Sequence, residues 1–272
     1  MPMKLGEIVA RLYLAFMIAL VWLPIAFMIM LSFKTGGSVS FPIQGLTLDW
    51  YVAKPKGYEY ISYISVLYDS AFWEALQNSA LVSAAVGATT CLIVTATALA
   101  LRHRVVGRDA LFYLILLGFI VPGVSLGLGH VVMYKQLNLE FTFWSAVAVD
   151  VVFTVPFGLV LMMARFDPDL MLYEQAASVL KASPVNVFRR VTMPLVKWEI
   201  LTAGVLGFVL SWSELVRTSF VMKGTGVLAT YIFNQMQINP VTPKWYAAGT
   251  IIASVSFVGL ILVGYIMSRT AK

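Results

Sequence analysis

Charge is what this sequence has least of. Only 12% of its 272 residues are Asp, Glu, Lys or Arg, against about 25% in an ordinary soluble domain. So few charges cannot cover a water-exposed surface of this size, which excludes a soluble globular domain. Most residues must instead face lipid or other apolar helices. Cysteine is nearly absent: Cys91 is alone and lies in an apolar run, so no internal disulfide and no Cys/His cluster with metal spacing exist. The two histidines, His103 in a basic turn and His130 near the end of an apolar run, are too isolated to argue a proton relay. Also missing are a GxxxxGK(S/T) phosphate loop, an HExxH, a nucleophile elbow and a CxxC; the nearest glycine cluster, GVSLGLGH at 123–130, lacks the lysine. These absences disfavour an enzyme and imply no cofactor in this chain. If ATP drives the protein, another subunit hydrolyses it.

What is present is apolar length, with 60% of residues hydrophobic. Six runs reach the ~20 apolar residues that a membrane span requires: about 10–33, 77–101, 110–133, 143–165, 197–222 and 245–268. The first is too long for the apolar core of a signal peptide and has no small-residue cleavage site, so it reads as a retained span. The expected fold is an all-α membrane protein, a bundle of six transmembrane helices forming a single domain over 1–272, with no low-complexity segment, linker or persuasive repeat. Basic residues set the orientation. With the N-terminus inside, the inner flanks hold Lys4, Arg11, Arg102, Arg104, Arg108, Arg165, Lys181, Arg189, Arg190, Lys197, Arg269 and Lys272; the outer segments hold fewer, namely Lys34, Lys54, Lys56, Lys135, Arg217, Lys223 and Lys244. Both termini are therefore expected in the cytoplasm, and the net charge of +6 needs no nucleic acid to explain it.

The longest polar stretch, roughly 34–76, is aromatic-rich (Trp50, Tyr51, Tyr58, Tyr60, Tyr63, Tyr68, Phe72 and Trp73). It suits an interfacial belt and also a docking surface for an outside partner. Val121-Pro122-Gly123 should kink the third span, and Gly123 and Gly127 allow close helix approach. Pro156 should break the fourth span, which argues for packing in a bundle that satisfies the freed carbonyl.

One segment is out of character: Glu174 to Pro194, EQAASVLKASPVNVFRRVTMP, a polar, basic island between the fourth and fifth spans. It reads as two short helices with a break. Gln175, Ala176 and Ala177 open a helix-favouring stretch that reaches Ala182. Ser183-Pro184 restarts the helix, Ser as cap and Pro at the first position. Val185, Phe188 and Val191 follow at spacings of three beside Arg189 and Arg190, and Pro194 ends it. A partner's groove could take these apolar residues; the plainer reading is an amphipathic helix on the inner leaflet.

Here the chain resembles the permease subunits of ATP-binding cassette importers. Their loop before the penultimate span carries Glu-Ala-Ala, three residues, Gly, nine residues, then Ile-x-Leu-Pro. This chain has Gln175-Ala176-Ala177, Lys181, then Val191-x-Met193-Pro194 at the same spacing. Gln175 replaces the glutamate, with Glu174 just before it, and Lys181 replaces the glycine. Further matches point to the spermidine/putrescine-type permeases: Leu31-Ser32-Phe33, Gly45 to Tyr51, Ala75 to Ser79, Val121-Pro122-Gly123 and Pro156-Phe157. The resemblance implies a pair of permeases, an ATPase dimer on the cytoplasmic side, a solute-binding protein outside, and a bacterial inner-membrane location. The loop at about 167–196 would be a cytoplasmic coupling helix. Glu174, Gln175, Ala176, Ala177, Lys181, Ala182, Phe188, Arg189 and Pro194 would carry ATPase coupling. A non-glycine residue at a left-handed break costs ~1 kcal/mol, so either the turn at Lys181 is strained or the first helix runs on.

Two carboxylates, Asp150 and Glu214, fall inside spans away from the cytoplasmic ends, where acidic residues usually face the bundle interior. With Trp212 and Ser213 they are candidates for the path of a cationic solute, Trp212 offering a cation–π face. Glu214 could equally pair with Arg217 three residues on, and Asp150 could hydrogen-bond across helices. A stand-alone secondary transporter or channel is the competing class, and an importer for a different small solute the competing substrate reading.

Overall fold

A computed structural model describes residues 5–55, 60–102, 106–165 and 168–270. Lys4, Lys56, Tyr58, His103, Arg104, position 167 and Lys272, invoked above, lie outside the described residues. In chain order the helices are α1 (Leu5–Ser32), α2 (Asp49–Val52), α3 (Ser70–Arg102), α4 (Arg108–Ile120), α5 (Gly123–Gln136), α6 (Phe143–Arg165), α7 (Pro168–Val179), α8 (Pro184–Val187), α9 (Met193–Trp212), α10 (Val216–Val221), α11 (Leu228–Ile238) and α12 (Pro243–Thr270). No strand occurs among the described residues; one isolated antiparallel bridge joins Lys34 and Leu46. Among the described residues, five helical stretches are long and apolar enough to cross a membrane, and a sixth if the bent pair α4–α5 counts as one span.

The chain divides into two compact units. One comprises Met1–Trp73 and Ile232–Ala253. Its α1 is almost bare, with only 6% of its most apolar window buried. The aromatic stretch after α1 is folded: Trp50 is buried and its indole N–H donates to the Lys34 carbonyl at 2.7 Å. Lys244, counted among the outer-segment charges, is also buried; its ammonium donates to the Asp69 carboxylate at 2.7 Å and to the Ile61 carbonyl at 2.6 Å. Thr242 adds a 2.6 Å bond to the Ser62 carbonyl. A buried ammonium is tolerable only with such partners.

The other unit, Glu74–Tyr231 with Ser254–Lys272, is built around α6, whose apolar window is 61% buried. Small residues let α3, α6 and α9 approach closely. A Cβ on Gly87 would lie 2.8 Å from the Gly204 carbonyl oxygen, and one on Gly158 would meet Val94 at 2.8 Å and Ala203 at 2.9 Å. Thr90 and Thr154 share a hydroxyl hydrogen bond of 2.7 Å between α3 and α6.

The helix limits depart from the sequence expectations at four prolines or polar breaks. The second span begins as a helix at Ser70 rather than near 77. The third is two helices at 110° rather than one kinked helix. Pro122 supplies no N–H and pushes Val121 into extended conformation (φ −67°, ψ 120°). By contrast, Pro156 does not break the fourth span: α6 runs through it. Pro156 offers no N–H to the Val152 carbonyl, and α4 packs closely at this point: a Cβ on Gly118 would sit 3.0 Å from Val152 O and 2.8 Å from Pro156 Cγ. The fifth span ends at Trp212 instead of 222, and α10 follows a break at Ser213–Leu215. Gly123 and Gly127 serve packing within the chain, Gly127 against the Phe220 ring and Gly123 against Arg217.

Candidate functional site

The island is two helical pieces with a break, as its sequence suggests, but the first helix starts earlier, at Pro168, and stops at Val179 instead of reaching Ala182, and the second half folds differently. α7 stops at Val179 with a paired turn: the Lys181 N–H donates to Ser178 O at 2.9 Å and the Ala182 N–H to Ala177 O at 3.2 Å. This is the bonding of a Schellman stop, which wants a left-handed residue, usually glycine. Lys181 supplies it at φ +61°, so the strained alternative is the one realised. Ser183 then caps α8, its hydroxyl accepting from the Asn186 N–H, with Pro184 at the first turn.

Pro194 does not end the second helix. The chain passes from α8 through a π turn at Phe188–Thr192 straight into α9, making one apolar stretch from Pro184 to Trp212. In the π turn the Met193 N–H reaches back to Phe188 O. Pro194 cannot pair with the Arg190 carbonyl and its ring crowds it; the wider π turn just before accommodates that loss. The second half of the island is thus the head of the fifth span.

Gln175, Ala176, Lys181, Arg189 and Pro194 are exposed, while Ala177, Ala182 and Phe188 are half-buried. Beside them stands an unexpectedly bare apolar group: Val179 and Leu180 are 82% and 83% exposed, with Leu172 and Val185 also open. Bare apolar side chains of this size stand out on a polar, basic segment between two spans.

Glu174 points inward. Arg102, in the last turn of α3, grips its carboxylate with both terminal guanidinium nitrogens, Nη1 at 2.9 Å. The Thr192 hydroxyl, from the π turn, donates to the same carboxylate. Sequence reading used Arg102 only as a flank charge; a pairing over 72 positions leaves no local signal.

In the membrane, Asp150 is completely buried and accepts from the Ser211 hydroxyl at 2.7 Å and from Arg217 Nε at 3.2 Å. The same guanidinium pairs with Glu214, whose carboxylate also accepts the Arg217 backbone N–H at 2.7 Å. The Phe153 ring lies 3.8 Å from the guanidinium carbon. Asp150 and Glu214, candidates from sequence, are therefore brought together by Arg217, which was counted among outer-segment charges and is in fact buried. Trp212 is buried with its ring stacked on Phe208 at 5.9 Å, while Ser213 is exposed and Glu214 half-buried.

Residues 92–272 match the family described as the binding-protein-dependent transport system inner membrane component. The chain belongs to that family. This makes it a multi-pass inner-membrane permease, a transport component rather than an enzyme, and removes the stand-alone carrier or channel. The permease is 25% identical over 261 residues to the spermidine/putrescine transport system permease protein PotC of Escherichia coli strain K12, covering 94% of this chain and 93% of that protein. It is 27% identical over 223 residues to the putrescine transport system permease protein PotI of the same strain, covering 77% and 78%. Its fold resembles a chain in the crystal structure of a bacterial ABC transporter involved in the import of the acidic polysaccharide alginate. The TM-score is 0.66, with 17% identity and 99% of each chain covered.

Proposed function

We propose that this permease forms half of the translocation pathway of an ATP-driven importer for a small organic solute, a polyamine or related cation. A second permease subunit completes the path, an ATPase dimer sits on the cytoplasmic side, and a solute-binding protein delivers solute from outside. Both termini are cytoplasmic, which puts the island on the ATPase side. The bare α1 is left to lipid or to the second permease.

The observation that carries this reading is the bare apolar group Val179–Leu180 on an island that is otherwise capped and ordered. An apolar patch at the end of a bundle, on a helix held in place by its own turns, suits a rigid groove in another protein. Gln175, Ala176, Ala177, Lys181, Ala182, Phe188 and Arg189 frame that surface. Pro194 stands where α8 and the π turn enter α9, so a push on the island is passed along one continuous helix into the membrane.

The cationic solute rests on what PotC and PotI are named for, together with Glu214 and Ser213 at the membrane break, backed by Asp150 and Trp212. A different small solute is the second reading, favoured by Arg217: the two carboxylates already hold an internal cation. Labelled putrescine and spermidine uptake into proteoliposomes holding permease pair, ATPase and binding protein separates them. ATP- and binding-protein-dependent accumulation is expected. Its absence, with a solute that carries no net positive charge accumulating instead, assigns the second reading.

A further inference from the structure

We infer that Glu174 is a transmission strut rather than a contact with the ATPase: it ties the docking island to α3 and to the head of α9 at once. The inference rests on the docking role proposed for the island.

Three elements meet at this carboxylate. Glu174 belongs to α7, Arg102 to the last turn of α3, and Thr192 to the π turn that leads into α9. Without that meeting point α7 would keep the apolar anchor at Leu170 but would reach the head of α9 along the chain through the turn at Leu180–Ala182, where a lysine already holds a strained left-handed conformation. The two halves of the island could then swing about the turn, and a push on α7 would be lost there. The two-pronged grip of a guanidinium on a carboxylate fixes direction as well as distance, and both side chains are only 16–17% exposed, so water screens the pair less than a surface pair. One turn earlier on α7, Leu170 is buried in the same apolar cluster as Leu101, the residue before Arg102. Residues four apart lie on one helix face, so α7 presents an apolar anchor and an ionic one together, both toward the end of α3. Gln175, at the motif position that resembles the family glutamate, is exposed. The acidic group has thus moved one position, about 100° round the helix, from the outer surface to the inner one.

The test uses the full complex in proteoliposomes, with ATPase retention, ATP hydrolysis and solute uptake all measured. Glu174→Gln and Arg102→Lys should retain the bound ATPase yet carry about 5-fold less solute per ATP hydrolysed, the lower end of ordinary coupling factors. Thr192→Val, which spares the ion pair, should lower the same ratio by less. Exchanging the pair, Arg102→Glu with Glu174→Arg, should restore part of it. An unchanged ratio in Glu174→Gln and Thr192→Val overturns the strut, as does loss of the ATPase from Glu174→Gln, which would make Glu174 a docking contact. If instead Leu180→Asp leaves the ATPase bound, the docking reading fails, whatever Glu174 does.

Discussion

Arg217 Nε lies 3.2 Å from Asp150 Oδ1, joining two helices whose residues are 67 positions apart. The same arginine holds Glu214, so one buried guanidinium is shared by Asp150 in α6 and Glu214 in the break after α9. With α10 also tied to α6 by the Ser145 hydroxyl on Val221 O at 2.6 Å, the break after α9 is fastened rather than loose.

Removing Asp150 should therefore be felt first as stability. Asp150→Ala leaves the Ser211 hydroxyl and half of a buried guanidinium without their acceptor, and breaking a buried pair from one side costs about 3 kcal/mol. Asp150→Asn keeps one acceptor oxygen for the guanidinium and presents an NH2 donor that the Ser211 hydroxyl can accept, so it should cost less. Thermal unfolding of the detergent-solubilised complex checks the order. Equal, near-wild-type stability of the two would mean that Arg217 does not depend on Asp150. Glu214→Gln should fold normally and lower uptake of a cationic solute; wild-type uptake would take Glu214 out of the pathway.

The α3–α9 contact offers a compensation test. A Cβ on Gly204 would collide with the Cys91 sulfur, and overpacking of this kind costs about 1–3 kcal/mol. Gly204→Ala should destabilise the protein by that amount, and Cys91→Ala in the same chain should recover most of it, since neighbouring changes do not add. Thermal unfolding of the single and double variants gives the answer; additive losses would mean that the two helices do not meet through these residues.

The left-handed turn makes an opposite demand. Lys181→Gly should stabilise the island by about 1 kcal/mol, because glycine adopts φ +61° without the Cβ penalty. Lys181→Val should do the reverse. Hydrogen exchange at the amides of Lys181 and Ala182, both bonded in the turn, reads this locally: slower in the glycine variant, faster in the valine one.

The sequence disclosed what depends on local chemistry. Apolar length located the candidate spans, Ser183-Pro184 its helix start, and the left-handed cost at Lys181 was visible before its φ was known. Proline was the weak guide. Pro122 bends the chain by 110° while Pro156 leaves α6 continuous, so the residue type alone does not tell a break from a helix that runs on. Pro194, read as a stop, is carried through by a π turn that no local pattern announced. Charges misled in a second way. Arg217 and Lys244 look like aqueous flanks because hydropathy assumes that an isolated charge seeks water. The pair of Arg217 with Glu214, three residues before it, follows helical spacing, but its second partner, Asp150, and the Asp69 partner of Lys244 are 67 and 175 positions away, beyond any periodicity.

The docking of the island is tested most directly by a photo-reactive amino acid at position 180, in membranes that contain the whole complex. Leu180 is 83% exposed on the island and Leu92 is 72% exposed in the middle of α3, so the second is a matched control. Irradiation should join position 180 to the ATPase subunit, and position 92 to lipid or another membrane chain. An island that labels only lipid, with the ATPase present and active, would contradict its role as the ATPase seat.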